Sequence, residues 1–269
     1  MKLAINYSTQ AAELLAKGQI EIAFFKTPDW PWIINQAKTY CPVAVHFNLT
    51  AGNGELARID WQTISELMEI TSTPYLNLHL EARVEDFPGL PAGSTEEQQK
   101  DRIISQALAD IQSALRYFKP EQVIVENVPY HGISDKVLRP CVEPATISYI
   151  LQTSGCGLLF DISHARITAH YLGISLEDYC AQMPLSRTKE MHFTGMKWVN
   201  GKLTDHLECQ ESDWQALVWI FQQIRNGSIS SPWLLAFEYG GVGEKFAWRS
   251  DPEVIAQQVP KLLSLIRTV

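Results

Sequence analysis

No stretch of this chain approaches about 18 uninterrupted apolar residues, so no membrane-spanning helix is expected. The first residues, MKLAINYSTQ, contain no long apolar core, and no secretory signal is read there. Cysteine is scarce: Cys41, Cys141, Cys156, Cys180 and Cys209 are scattered, odd in number and form no CxxC pair. That argues against a disulfide framework, reads the five as buried free thiols, and fits a cytoplasmic location. Positive charge is in the minority, 22 Lys and Arg against 30 Asp and Glu, for a net charge of −8. A protein whose surface tracks nucleic acid is usually basic, so this balance argues against a nucleic-acid partner. It leaves room for metal ions to supply positive charge inside a cleft.

No low-complexity tract, linker or charge block divides the 269 residues, and 46% hydrophobic content is enough for a large core. What the chain does have is alternation. Short apolar runs lie near 2–6, 20–25, 43–48, 75–80, 122–126, 157–161, 188–193 and 233–238. Several lack strict polar–apolar alternation, as strands buried on both faces do. Between them, helical patterns are read over 8–18, 57–71, 95–118, 143–154, 175–183, 211–225 and 252–268, the first with Ser8 as its cap and Gly18 as its stop. Eight strands alternating with about as many helices, in a chain near 250 residues, predict an α/β protein with one domain over 1–269, a single (β/α)8 TIM barrel. The least regular piece is the Pro/Gly-rich segment 81–95 after the fourth strand.

Against that frame the acidic and imidazole side chains have a pattern. His46, His79, Glu126, Asp161, His192 and Glu238 end six consecutive strands, while His164, Asp205 and His206 lie just beyond strands. In a β/α barrel the C-terminal strand ends open on one face, where active sites sit. Only His131 and His170 among the seven histidines fall outside the set. Imidazole with carboxylate suits zinc, manganese or iron. Nine donors exceed the four of one tetrahedral zinc, so two or three divalent ions are expected, bridged by a carboxylate such as Glu126. The Asp161-Ile-Ser-His164 step lets a strand-end carboxylate and a residue in the following turn reach different ions. Adjacent residues on an extended strand point oppositely, so Asp205 and His206 can share an ion only if the backbone turns there.

These phrases resemble the xylose-isomerase-like TIM-barrel superfamily. LNLHLEA, VIVEN, LLFDISHA, EMHFTG, the Thr-Asp-His segment and AFEYGG follow the order of the endonuclease IV site. That resemblance implies one ion on His46, His79 and Glu126, a second on Glu126, Asp161, His192 and Glu238, and a third on His164, Asp205 and His206. Its third-ion pair is spaced Asp-x-His, whereas Asp205 and His206 are adjacent. PVAVHFNLTAGNG, VIVENVPYHG and CVEPATISYILQTSGCGLLFDISHARI resemble the multinuclear iron enzymes related to the methanobactin-biosynthesis oxidase. That second resemblance implies two or three irons and oxidation of a peptide cysteine with a partner protein. This chain departs from it by carrying His164 in place of Asn, and Phe24, Phe25 and Lys26 where a strand-two glutamate is usual.

Four functions stay open at this point: an oxidative iron enzyme acting on a peptide or small molecule, a sugar isomerase or epimerase, a zinc phosphodiester hydrolase, and a non-catalytic metal-dependent binding module. Glu126 and Glu238 are the candidate proton-handling carboxylates, and Lys197 the candidate cation for a substrate anion. Arg83, Arg166 and Lys245 are read mainly as solvated charges, and Tyr130 and His131 as pocket lining or packing. Trp198, Tyr239 and Trp248 are read mainly as packing, and Gly240 to Gly243 as a flexible loop, since the phosphate-loop spacing is absent.

Overall fold

A computed structural model describes residues 1–269. The chain begins with β1 (Lys2–Asn6), α1 (Thr9–Ala16), β2 (Phe24–Pro28), α2 (Pro31–Ala37) and β3 (Val43–His46). Next come β4 (Thr50–Ala51), α3 (Trp61–Thr71), β5 (Leu76–Leu80), α4 (Glu97–Leu115) and β6 (Val123–Asn127). The short α5 (Arg139–Val142) leads into α6 (Pro144–Ser154), β7 (Gly157–Asp161), α7 (Ile162–Leu172), α8 (Leu176–Gln182) and β8 (Thr188–Phe193). An antiparallel ribbon of β9 (Gly195–Val199) and β10 (Lys202–Leu207) precedes α9 (Glu211–Arg225), β11 (Leu234–Phe237) and α10 (Pro252–Ile266).

Local chemistry explains most boundaries. The Ser8 hydroxyl accepts from the Ala11 amide at 3.1 Å and starts α1, as its position before the apolar run suggested. Asp251 caps α10 in the same way, and Gly155 and Gly173 end α6 and α7 in left-handed backbone. Besides the single turn of α5, two helices have no counterpart in the expected pattern. One, α2, has seven residues, too few for a periodic signal. The other, α7, is buried nearly all round through its first eight residues, which erases the polar stripe that marks an amphipathic helix.

The chain divides into two compact units. The first, Met1–Phe47, Leu67–Thr73 and Lys189–Val269, holds an all-parallel sheet in the order β3-β2-β1-β11-β8. Its second strand is not the expected 20–25 but FFKTP, residues 24–28, so a lysine sits inside the sheet. Register places Lys26 on one face with Asn6 and Ala44, and His192 on the same face with Ala236 and Ala4. Ala4, Ala44, Leu234 and Ala236 form a buried patch of mostly small side chains that leaves room for longer ones beside it. Three strand spacings, about 14 Å on a flat sheet, separate β2 from β8. The Lys26 ammonium nonetheless contacts Glu190 on β8, so the sheet of this unit curls with that face inside.

The second unit, Asn48–Glu66 and Pro74–Thr188, holds a parallel sheet in the order β7-β6-β5-β4. Its register pairs His79 directly with Glu126. Segment 81–95 is the irregular loop expected, pinned by backbone bonds of Val84 to Lys136, Leu138 to Ala82 and Arg139 to Ala92. The turn after β4 passes so close to β5 that a Cβ on Gly52 would lie 2.6 Å from the Glu81 carbonyl oxygen. That turn is held from beneath by buried Asp110 of α4, whose Oδ2 accepts from the Gly52 and Gly54 amides at 2.8 and 3.0 Å. Asp110→Ala removes both bonds and strands two donors, so a loss of about 2–4 kcal/mol is expected, read as a lower urea midpoint at unchanged m.

Candidate metal centre

Within the second unit, parallel strands bring four of the expected residues to one sheet edge. His79 is next to last in β5, Glu126 next to last in β6, and Asp161 last in β7. His164 lies in the first turn of α7 rather than in a loop, because Asp161 is the helix N-cap: its Oδ1 accepts from the His164 amide at 2.7 Å. One carboxylate oxygen thus starts the helix, while Oδ2 lies 3.6 Å from His164 Nδ1. Glu126 addresses two different imidazoles, with Oε2 at 3.5 Å from His79 Nε2 and Oε1 at 3.7 Å from His164 Nδ1. Asn127, which the sequence did not single out, ties the strand ends together. Its amide donates to the Asp161 carbonyl at 2.9 Å, and its Oδ1 accepts from the Asp161 amide at 3.0 Å.

The first unit assembles the other five. His46 ends β3, His192 is next to last in β8, and Glu238 follows β11. The His46 and His192 ring centroids are 5.2 Å apart. Glu238 repeats the pattern of Glu126, with Oε1 at 3.1 Å from His192 Nδ1 and Oε2 at 3.7 Å from His206 Nδ1. His206 Nε2 is 4.0 Å from Asp205 Oδ1. The turn required at this adjacent pair is present: His206 has φ +59°, and the β9–β10 register shifts between Thr204 and Leu207. Burial alone would raise the Glu238 pKa, but the imidazoles of His192, His206 and His46 outweigh it and hold the group well below the usual carboxylate range.

Two charged groups of this unit escaped the sequence reading. Buried Glu190 contacts both Lys26 and His192, with His192 Nε2 3.0 Å from its Oε1. Burial opposes its ionisation, yet the Lys26 charge and the His192 bond bring its pKa down to about 2. The only sequence signal was its place two residues before His192, on the same strand face. Arg249 is the other. Burial lowers its pKa, opposed by the Glu238 and Asp205 carboxylates, and its guanidinium lies over the Phe246 ring at 4.4 Å.

The remaining candidates are placed as follows. Lys197, on β9, is ion-paired with Glu208. Arg83 binds Glu81 at 2.6 Å beside a cavity of about 280 Å³ that His79 also lines. Lys245 lies over Phe246. Trp198 and Trp248 are exposed, whereas Tyr239 is buried and stacks on Phe237. His131 pairs with Asp135 at 3.2 Å. The Gly240 turn is tight for packing reasons, since a Cβ there would lie 2.4 Å from the Asn6 carbonyl.

The donor chemistry fits divalent metal. In the second unit, ligand atoms of Glu126, Asp161 and His164 all lie within 4.8 Å of one another, and all three residues are buried. Two carboxylates so close and so desolvated repel each other unless a cation lies between them, and an oxygen–nitrogen set suits iron, zinc or manganese.

Comparison with known proteins agrees with this reading of the fold. The family model described as "RiPP precursor modification enzyme MbnB/TglH/ChrH" matches residues 37–230, over two thirds of the chain. No curated protein matches by sequence. Among solved structures, D-psicose 3-epimerase with D-fructose is similar at TM-score 0.58 and 10% identity, covering 100% of this chain and 99% of its own. The IOLI protein with a bound zinc atom is similar at TM-score 0.60 and 14% identity, with 100% and 99% covered. The 3-keto-D-glucoside 4-epimerase YcjR from E. coli is similar at TM-score 0.53 and 14% identity, with 100% of each chain covered. At such identities the likeness shows the fold alone.

Two expectations follow. Glu126→Ala should lower bound metal far more than His131→Ala, measured by elemental mass spectrometry; equal content in the two would refute the assignment of Glu126. Asp135 has a pKa of about 2 against an ordinary 3.8: burial opposes ionisation, but bonds from the His131 ring and from the His131 and Lys136 amides prevail. A depressed carboxylate stabilises the fold above its unfolded pKa and loses that contribution as pH falls toward its folded one. The stability gap between the parent and Asp135→Asn should therefore be full above about pH 4 and close toward pH 2, as followed by urea midpoints.

Proposed function

This chain belongs to the MbnB/TglH/ChrH family of RiPP precursor modification enzymes, and we propose that it oxidises a cysteine of a ribosomally made peptide, using two or three iron ions and dioxygen. One observation of the site carries the multinuclear part: Glu126 and Glu238 each turn their two oxygens toward two different histidines. A buried carboxylate with both oxygens among imidazoles can bridge two ions, and two such carboxylates exceed what a single ion needs. In this reading His79, Glu126, Asp161 and His164 supply ligands from one unit, and His46, His192, Asp205, His206 and Glu238 from the other.

Bound iron would supply one-electron chemistry toward dioxygen, and the electrons come from the peptide thiol. The chain's own residues set up that exchange. Glu126 and Glu238 would hold the ions through their two oxygens beside the imidazoles. Lys197, on the exposed ribbon, meets an anionic group of the peptide once Glu208 yields it. A partner protein would present the peptide, as the resemblance to the methanobactin-biosynthesis oxidase implies.

The structural likeness to sugar epimerases supports a second reading, in which metal polarises a ketose carbonyl and the same two glutamates shuttle a proton. Elemental analysis of aerobically purified protein, followed by oxygen uptake with a cysteine-containing precursor peptide, separates the two. Two or three irons per chain, and oxygen uptake that disappears with a Cys→Ser peptide, are expected. Manganese with ketohexose epimerisation and no oxygen uptake would replace this reading by the epimerase. Zinc with phosphodiester cleavage would replace it by the hydrolase, and metal without any turnover by the binding module.

A further inference from the structure

Three histidines of the metal clusters are oriented by backbone. His79, His164 and His206 each place Nδ1 on a carbonyl oxygen, those of Leu49, Asn127 and Glu238, at 3.1, 2.8 and 3.1 Å. A carbonyl can only accept, so the proton of each ring is on Nδ1, and Nε2 is the atom offered to a metal. His192 is reversed. Its Nε2 faces Glu190 at 3.0 Å, and its Nδ1 faces Glu238 at 3.1 Å.

The reversal has a structural cause. His192 is fully buried inside β8 and in register with Ala236 of β11. His79 lies at the same place in its own strand, but its ring meets the Leu49 carbonyl from the entry to β4. For His192 the acceptor at Nε2 is a side chain on the same face, at position 190, where the period of two residues places it. A carboxylate there is costly to bury alone. Lys26 reaches across from β2 over the small side chains of Ala4 and Ala236 and pairs with it. Neither Lys26 nor Glu190 belongs to the ligand set.

We propose that Glu190, balanced by Lys26, is a positioning residue that accepts the hydrogen bond of the His192 Nε2–H and thereby commits Nδ1, beside Glu238, to the metal. This rests on the metal-enzyme reading and deepens it. A merely structural ion pair would leave the choice of His192 nitrogen unaffected.

The test uses zinc alone as a diamagnetic probe, with the whole chain labelled at histidine with nitrogen-15 and the His192 signals assigned by their loss in His192→Asn. Long-range proton–nitrogen spectra of the zinc-loaded parent should show His192 protonated at Nε2 and zinc-bound at Nδ1. The neutral pair Lys26→Met with Glu190→Gln keeps an acceptor oxygen, and should keep that tautomer and the parent zinc affinity. Lys26→Met with Glu190→Leu removes the acceptor without stranding a charge. It should release the tautomer and weaken one zinc site by about 10–100-fold, the usual cost of losing such a partner. Zinc on Nε2 of His192 in the parent, or parent-like affinity in the leucine pair, would overturn the proposal while leaving the metal-enzyme reading intact. Should the leucine pair fail to fold, the spectrum of the parent decides by itself. A parent chain that binds no zinc would overturn both.

Discussion

Ionised side chains buried inside parallel sheets govern what this molecule can be. A carboxylate or ammonium taken out of water costs several kcal/mol even after relaxation, and only close, well-oriented partners offset it. Glu126, Asp161, Glu190, Glu238 and Lys26 are all buried within or at the ends of strands. Each carries visible compensation. Lys26 is held by Glu190, Glu190 also by His192, and Glu238 by His192 and His206. Asp161 spends one oxygen on the first turn of α7, where the helix N-terminus adds favourable positive potential. A sheet that carries such a set is committed to a cation or to an equivalent array of donors, because a missing partner leaves a charge the apolar core cannot solvate.

The same constraint explains the economy of the two glutamates. A carboxylate has two oxygens and about four lone-pair directions, and Glu126 and Glu238 each divide theirs between two imidazoles. The histidines in turn have second partners: His79 and His192 at the nitrogen away from the glutamate, on a carbonyl and a carboxylate, and His164 and His206 at Nδ1 on a carbonyl. Such outer contacts fix ring orientation and tautomer before a ligand arrives, so binding does not have to order them. His79 and His192 both stand next to last in their strands, so the difference lies in the neighbour each ring meets: the Leu49 carbonyl, which also accepts from the His79 amide, for one, and the Glu190 carboxylate for the other.

Strand ends were legible in the sequence because the signal is local. VAVH, LNLHL, VIVEN, LLFD and EMHF each show an apolar run meeting one polar donor, and β3, β5, β6, β7 and β8 lie there. The second strand was misplaced because its polarity breaks the rule. FFKTP contains a lysine whose partner is 164 residues away, and no local pattern announces that pairing. Helix α7 was hidden for a related reason. With Ile162, Ser163, His164, Ala165, Ile167, Thr168 and Ala169 all buried, there is no exposed face to give periodicity. Glu190 stood inside a quoted phrase, yet its role depends on Lys26, so only the curled sheet of the first unit reveals it.

At His206 a small backbone irregularity does what a spacer residue does in the motif this segment resembles. The related motif spaces its aspartate and histidine by one residue, which on an extended strand puts both side chains on one face. Here Asp205 and His206 are adjacent, and regular β10 geometry would send them to opposite faces. A left-handed backbone at His206, at φ +59°, rotates the chain where the spacer would have done so, and the ribbon register slips at the same point. For a non-glycine residue this conformation costs about 1–3 kcal/mol and persists only where the surroundings over-determine it. Those surroundings are identifiable. The His206 ring bonds the Glu238 carbonyl at 3.1 Å, and its Nε2 lies 4.0 Å from Asp205. Adjacent residues that regular strand geometry would send to opposite faces are thereby kept together at the cost of local strain, with His206 linking Asp205 to Glu238.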